Sequence, residues 1–498
     1  STNKADDAAH SVSPLDGVSF HFYRLLRMSM AASPIVEQPG SKGPQHKTLQ
    51  DKMTSQTLVE QFRHDIGSIS STVDAREIRQ KSHDFHWYSP VLTPQLQNCM
   101  ADVVVRPQSE VEIAAVVAAA VRHKIPLTLR GGGTGNYGQS VPLQGGVLLD
   151  MTGFNKVTAV EWGHIRVQGG AVIAKALEAA LASGQQLMMY PSTMRSATIG
   201  GYLGGGFAGI GSVRHGIIRD SGMIRSLRIM TMEESQRIVT LAGDETALVL
   251  HSWGTTGIIV EAELKLVPAE TWIDCIATFP SYADVIAFGN AAFESDLDIF
   301  LLSAVERRFA PYYKRLNTYF DGSRDAMFSM VKESDVDGYF ALAAKFNGDR
   351  SMAVNEAQSA AANLRRIHET AFNHTTLMAL QVDRGWTYLQ VVMPNPFEPK
   401  LVTEQKRRFG DEVLMHHEYT KEKGRCRIGA LPLIRYSTEQ RLNDIMRSFE
   451  EDGCVLNNPH IFKLEDGGRF DPDGRKLAFR KSVDPMGLLN PGKLRSLS

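Results

Sequence analysis

Two patterns in the sequence carry residue types able to do chemistry. The first is Arg130-Gly131-Gly132-Gly133-Thr134-Gly135-Asn136-Tyr137-Gly138-Gln139-Ser140, which follows the apolar run Leu127-Thr128-Leu129. Glycine reaches φ > 0 and has no Cβ to hold a phosphate away, so successive backbone N–H groups can close on an anion. The loop reads as a phosphate cradle, and a side chain at Gly132 is expected to enter the space the phosphate needs. The second pattern is Asn457-Asn458-Pro459-His460-Ile461-Phe462. An imidazole titrates near working pH, and a strand-like Ile461-Phe462 would aim His460 inward as a general base, with Asn458 hydrogen-bonded to substrate. Lys463 or Arg469 would attract a carboxylate. A histidine that merely satisfies the backbone beside a turn is an equally open reading, and His416 and His417 are alternative bases.

The elements around the cradle form a recognisable unit. Asp102 to Pro107 is a β-branched run stopped by proline, and Ser109-x-x-Glu112 is a capping box that opens an alanine-rich helix to about His123. Strand, helix, strand and glycine loop make a βαβ unit. Further strands are expected over 146–150 and 164–168, then a helix over 171–183 ended by Gly184. A turn over 190–193 leads into a second glycine-rich stretch, 197–211. There Gly204, Gly206 and Gly209 satisfy G-x-G-x-x-G, but they follow a turn and another glycine pair, so a Rossmann site is rejected. Residues 254–266 supply a turn and an alternating strand. The aromatic stretch 78–90, with Asp84 and Trp87, reads as a hydrophobic plug under this unit, a cofactor-lining role for those two residues being the other reading.

Together these residues resemble the FAD-binding PCMH-type flavoproteins of the vanillyl-alcohol oxidase and glycolate oxidase (FAD-linked oxidase) family. The resemblance implies an α+β fold: a two-subdomain PCMH-type FAD-binding domain with an α+β substrate-binding cap. It also implies cofactor contact at Pro107, Arg130, Gly131, Gly132, Gly133, Thr134, Gly135, Asn136, Gln139 and Ser140. Further contacts fall on Pro191, Ser192, Thr193, Thr198, Gly200, Gly201, Gly205, Gly257, Ile258 and Ile259. The C-terminal Asp484-Pro-Met-Gly-Leu-Leu-Asn-Pro-Gly-Lys493 is similar to the family's terminal motif, which brings Asn490 and Lys493 to the cofactor. Covalent members have a histidine in the glycine loop where this chain has Thr134, so FAD is expected to be bound non-covalently. The metal-binding histidine pair and Glu-His-Gly stretch of many D-2-hydroxy-acid oxidising members are missing, so no metal is expected.

The expected layout is a flexible tail over 1–52, with Met53 read as the natural start, an FAD domain over 53–268, a cap over 269–450 and a return segment over 451–498. A transit peptide is the alternative for the tail, though Asp6 and Asp7 sit badly with it. In the cap, Thr375–Val382 and Thr387–Met393 read as strands and 354–370 as an amphipathic helix. With 498 residues, 43% of them hydrophobic, the chain has ample core for several domains, and its formal charge of -1 gives no general attraction to nucleic acid. The four scattered cysteines suit a reducing compartment, hence a cytoplasmic location, and no apolar run is long enough for a transmembrane segment. The function expected is hydride transfer from a hydroxyl-bearing carbon of a small-molecule substrate to flavin N5, with 2-hydroxy acids ahead of aromatic or phenolic alcohols. The electron acceptor is dioxygen, a quinone or a cytochrome, and a homodimer is compatible. A catalytically silent flavin-binding protein and an NADPH-dependent flavin reductase are the rival readings.

Overall fold

The computed structural model describes residues 49–467 and 474–495. The expected flexible tail lies outside the described residues except for its last four, which open the helix Leu49–Asp65. Strands Val103–Val105, Val147–Asp150 and Leu127–Arg130 lie side by side in that order and run parallel, with Ser71–Thr72 as an antiparallel edge. Valine and leucine fill the inner strands because a parallel strand is buried on both faces. The crossover helix Glu110–Arg122 begins where its cap predicts: Ser109 Oγ accepts the N–H of Glu112 at 3.2 Å. The carboxylate of Glu112 reaches back one residue further than a capping box requires, accepting from Gln108 N at 2.7 Å. Ile113, Val116, Val117 and Ala120 on this helix share one core with Val103, Val105, Leu127 and Val147.

A second, antiparallel sheet follows in the spatial order Val157–Glu161, His164–Gln168, Ile258–Pro268, Ile224–Met230 and Ile238–Ala242. Gln185–Leu187 pairs with the far end of its long central strand. The helix Ile173–Leu181 stops where Gly184 adopts φ +73°, as the sequence indicates. Gly204, Gly206 and Gly209 fall at and beyond the C-terminal end of the short helix Ile199–Gly205, so no strand feeds them into a helix as a Rossmann site requires.

The cap is an eight-stranded antiparallel sheet. Its order is Asp349–Val354, Trp272–Phe279, Asp325–Lys332, Ile299–Val305, His416–Glu422, Arg425–Ala430, Gln390–Val392 and Val455–Asn457. Helices Tyr282–Phe293, Val336–Ala344, Pro399–Phe409 and Glu439–Glu451 pack on one face. Residues alternate between cores, so Cys275 and Ala277 meet the helices while Ile276 turns to the other side.

Three local expectations are corrected. Thr375–Val382 is not a strand but most of the helix Asn373–Val382; Thr375 to Leu380 are all buried, and a segment buried all round has no period to distinguish strand from helix. The helix expected over 354–370 is only Glu356–Ala361, followed after a break at Asn363 (φ +52°) by a 3₁₀ turn at Ile367–Glu369. Ile461 and Phe462 are not strand; regular pairing ends with Val455–Asn457, just ahead of Pro459. No helix among the described residues is long and apolar enough to cross a membrane.

Candidate functional site

The two glycine-rich stretches and the open face of the cap sheet enclose one cavity of about 360 Å3, within the usual range for small-molecule sites. Its first wall is backbone. The strand Leu127–Arg130 ends at the loop, whose residues from Arg130 to Asn136, with Gln139 and Ser140, face the cavity. Arg130 is itself a brace, since its Nη1 donates to His83 O at 2.8 Å. Asp84 caps the loop from behind through Ser140 N at 3.4 Å, and Phe85 N donates to Gly135 O at 2.7 Å. Asp84 and Trp87 do not line the cavity, so the aromatic stretch supports the loop as a plug, with Arg384 stacked on Trp87 at 4.3 Å.

The second stretch contributes Pro191, Ser192, Thr193, Thr198, Gly200, Gly201 and Gly205, and the turn before the long strand contributes Gly257, Ile258 and Ile259. Thr198 caps the helix Ile199–Gly205 by accepting Gly201 N at 3.2 Å. A Cβ built on Gly205 would meet only Gln139 Nε2 at 3.7 Å and one on Gly204 only Gly254 N at 3.9 Å, so this glycine face leaves room that side chains would fill. Gly132 behaves otherwise: its Cβ would strike Ser196 O at 2.0 Å, so its glycine serves loop-to-loop contact and not the phosphate space.

Four expected site residues lie off the wall. Pro107 is buried with its carbonyl against Gly153. Asn490 is fully buried behind the loop, where Nδ2 donates to Gln139 O at 2.9 Å and Trp253 O at 2.6 Å. Lys493 Nζ donates to Gly138 O from below, and burial pushes its pKa down to about 7 against the pull of Asp84. His460 is the fourth. Its Nδ1 bonds Ser89 Oγ at 2.8 Å and its Nε2 bonds Tyr388 O at 3.0 Å, while burial pushes its pKa down to about 4. With both ring nitrogens engaged and the ring outside the cavity, His460 ties the return segment to the plug and the cap. Asn458 does line the cavity, but its Oδ1 is occupied by His460 N at 2.9 Å. Lys463 stacks on Phe462 away from the wall, and Arg469 lies outside the described residues.

The second wall comes from the cap, and the sequence reading missed it. It includes Phe372, Asn373, Gln390, Glu418, Thr420, Arg427 and Asn457. The signal was present in His416-His-Glu-Tyr-Thr-Lys-Glu422, where alternate residues of a strand face opposite ways. Tyr419 bonds Ile286 O among the helices, whereas Glu418 and Thr420 face the cavity. Arg427, opposite Thr420 on the neighbouring strand, lies over the Phe207 ring at 4.7 Å and bonds Glu422 at 2.9 Å. Glu418 Oε2, Asn373 Oδ1 and Asn457 Nδ2 are buried and find no hydrogen-bond partner among the described residues. Buried polar atoms are nearly always paired, so these three leave hydrogen-bonding capacity on the wall that is open to a bound molecule.

Residues 101–240 match the family pattern of an FAD binding domain. That segment is an FAD binding domain. FAD is therefore its cofactor, and the open glycine face of Gly204 and Gly205 fits a group that must approach backbone closely. The glycolate oxidase subunit GlcD of Bacillus subtilis (strain 168) is 30% identical over 192 residues, which cover 36% of this chain and 40% of that protein. A D-lactate dehydrogenase of Anaerostipes hadrus is 30% identical over 201 residues, covering 36% and 42%. The chain thus aligns with about two-fifths of the length of these relatives. In architecture this chain is similar to a solved alkyldihydroxyacetonephosphate synthase, with a TM-score of 0.68 over 93% of this chain and 89% of that one at 16% identity. Among its described residues no group of three His, Cys, Asp or Glu could hold a metal ion.

Proposed function

We propose that the protein is an FAD-dependent oxidoreductase that oxidises a hydroxyl-bearing carbon, with 2-hydroxy acids of the lactate and glycolate type as substrates. The observation that carries this reading is the two-walled cavity, which has glycine backbone on one side and polar side chains with orphaned atoms on the other. In this reading the residues 130–136 with Gln139 and Ser140, the 191–205 stretch and Gly257 to Ile259 hold FAD from the first wall, non-covalently because the loop offers Thr134. Asn490 and Lys493 hold that loop in shape from behind. The flavin supplies the hydride acceptor. The cap residues orient the second molecule, and Arg427 presents a guanidinium to a carboxylate. Its burial, which lowers the Arg427 pKa, strengthens any charge it meets there. Relatives that bear the names glycolate oxidase subunit and D-lactate dehydrogenase support the same substrate class.

The test is an anaerobic screen of flavin bleaching with lactate, glycolate, aromatic alcohols and NADPH, followed by reoxidation with air, a quinone or cytochrome c. Bleaching by a 2-hydroxy acid is the expected result, with acid releasing the flavin from the precipitated protein. Bleaching by NADPH alone, or by none of the compounds, overturns the reading.

A further inference from the structure

Glu418 is the one carboxylate among the described residues of the cavity wall. It is 1% exposed, in the middle of the cap sheet, yet its two oxygens have different surroundings. Oε1 accepts two hydrogen bonds, from Phe372 N at 2.6 Å and from Ser303 Oγ at 3.0 Å, and Ser303 Oγ is in turn bonded to His416 Nε2 at 3.1 Å. Oε2 has no partner among the described residues. The two donors come from separate elements, and one of them is costly to supply. Phe372 holds φ +52° and ψ -137°, a conformation that side chains other than glycine rarely adopt, and its N–H points at Oε1 while its residue lines the cavity. Strain of this kind persists where surrounding structure enforces it, typically at ligand sites. Directly across the ladder from Glu418 is Gly429, where a Cβ would touch nothing nearer than 4.0 Å, so the approach over the sheet is open.

Resting on the oxidation reading above, we propose that Glu418 Oε2 accepts the hydroxyl proton of the substrate, and that His416 and Ser303 are positioning residues that fix Oε1 so that Oε2 faces the cavity. In the step, the O–H bond would break with its proton moving to Oε2 and the carbon would become a carbonyl as the C–H electron pair leaves as hydride, for which bound FAD would supply the acceptor. An ionised carboxylate only accepts hydrogen bonds. The site therefore favours a hydroxyl, which donates, over the carbonyl of the product, which also only accepts.

That preference is testable without turnover. 2-Hydroxyisobutyrate has the carboxylate and hydroxyl of a 2-hydroxy acid but no hydrogen on the carbinol carbon, and pyruvate carries the carbonyl instead. Calorimetric titration of the FAD-loaded protein should find 2-hydroxyisobutyrate bound roughly tenfold more tightly. In Glu418→Gln, whose amide can donate to a carbonyl, the order should level or invert, and anaerobic flavin reduction by lactate should slow by roughly 10² to 10⁴. His416→Ala should weaken the preference, and His416→Gln, which retains a donor toward Ser303 Oγ, should restore part of it. Equal affinities in the wild type, tighter pyruvate, binding of neither ligand, or an unchanged order in Glu418→Gln overturns the assignment. If the preference appears and depends on Glu418, yet no hydroxyl compound reduces the flavin, the hydroxyl-accepting role stands and the oxidation reading falls.

Discussion

Single residues of the cavity separate positions that touch the ligand space from positions that only build it. Gly132 and Gly205 both sit in glycine-rich stretches, but only Gly205 has an open Cβ direction. Gly205→Leu is expected to fold normally and purify without flavin, because the added carbons enter the cavity and no backbone stands in their way. Circular dichroism and the 450 nm absorbance would check this, and a yellow, flavin-replete variant would show that the glycine face is not used. Gly132→Asp should instead lose structure, since Ser196 O already occupies the direction a side chain must take. His460 makes the complementary case. Its two ring bonds link Ser89 and Tyr388, so His460→Ala is expected to cost about 1–3 kcal/mol of stability while flavin reduction stays within about a factor of two to three, well short of what loss of a positioned base produces. A loss of reduction approaching 10²-fold with normal stability would return the histidine to the chemistry.

Elements, rather than residues, decide what was legible in the sequence. The glycine loops could be read because their function depends on residue type at fixed spacing, which leaves a local trace. The cap wall could not, because Glu418, Asn373 and Asn457 come from a strand, a helix start and a second strand whose convergence is set by long-range pairing. The helix Asn373–Val382 illustrates the limit, being too uniformly buried to carry a period. His460 was attractive for the same reason it misleads: it is an ionisable residue in the returning segment, and sequence alone does not reveal that both its nitrogens are taken. That segment packs beside the first sheet, where Leu127 N donates to Leu488 O at 2.8 Å and Asn490 N donates to Leu127 O at 2.7 Å. Asn490 holds φ +44°, which asparagine tolerates better than most, and joins two loops through its amide. Asn490→Ala should weaken FAD binding by roughly tenfold, the loss expected for one or two buried hydrogen bonds. Titration of flavin-free protein with FAD, followed by tryptophan fluorescence, would measure it. An unchanged Kd would mean that the return segment does not shape the cradle.

Across the whole molecule, buried histidines set the response to acid. Burial pushes the pKa down to about 4 for His83, His215, His374 and His460 and to about 3 for His368 and His417. In the unfolded chain each titrates near 6.5. Between 6.5 and its folded value the unfolded chain binds a proton that the folded chain refuses, so this stability is complete above 6.5 and is lost as pH falls through the window. A drop from 6.5 to about 4 is worth at most about 3 kcal/mol, and two or three such residues rival the whole margin of a folded protein, about 5–15 kcal/mol. Lys493 acts in the same sense at the alkaline end, the cost of its burial being full below about 7 and relieved as pH rises toward 10.5. The unfolding temperature is expected to fall steeply from pH 6.5 to 4, in scanning calorimetry of the FAD-loaded protein; a constant value across that range would contradict neutral burial of these rings. The return segment also imposes an order on biogenesis. The glycine loop leaves the ribosome at Arg130, but the residues that brace it, Asn490 and Lys493, arrive some 360 residues later, roughly 20–70 s at ordinary rates of synthesis. The bracing of the loop by Asn490 and Lys493 is consequently a post-synthetic event.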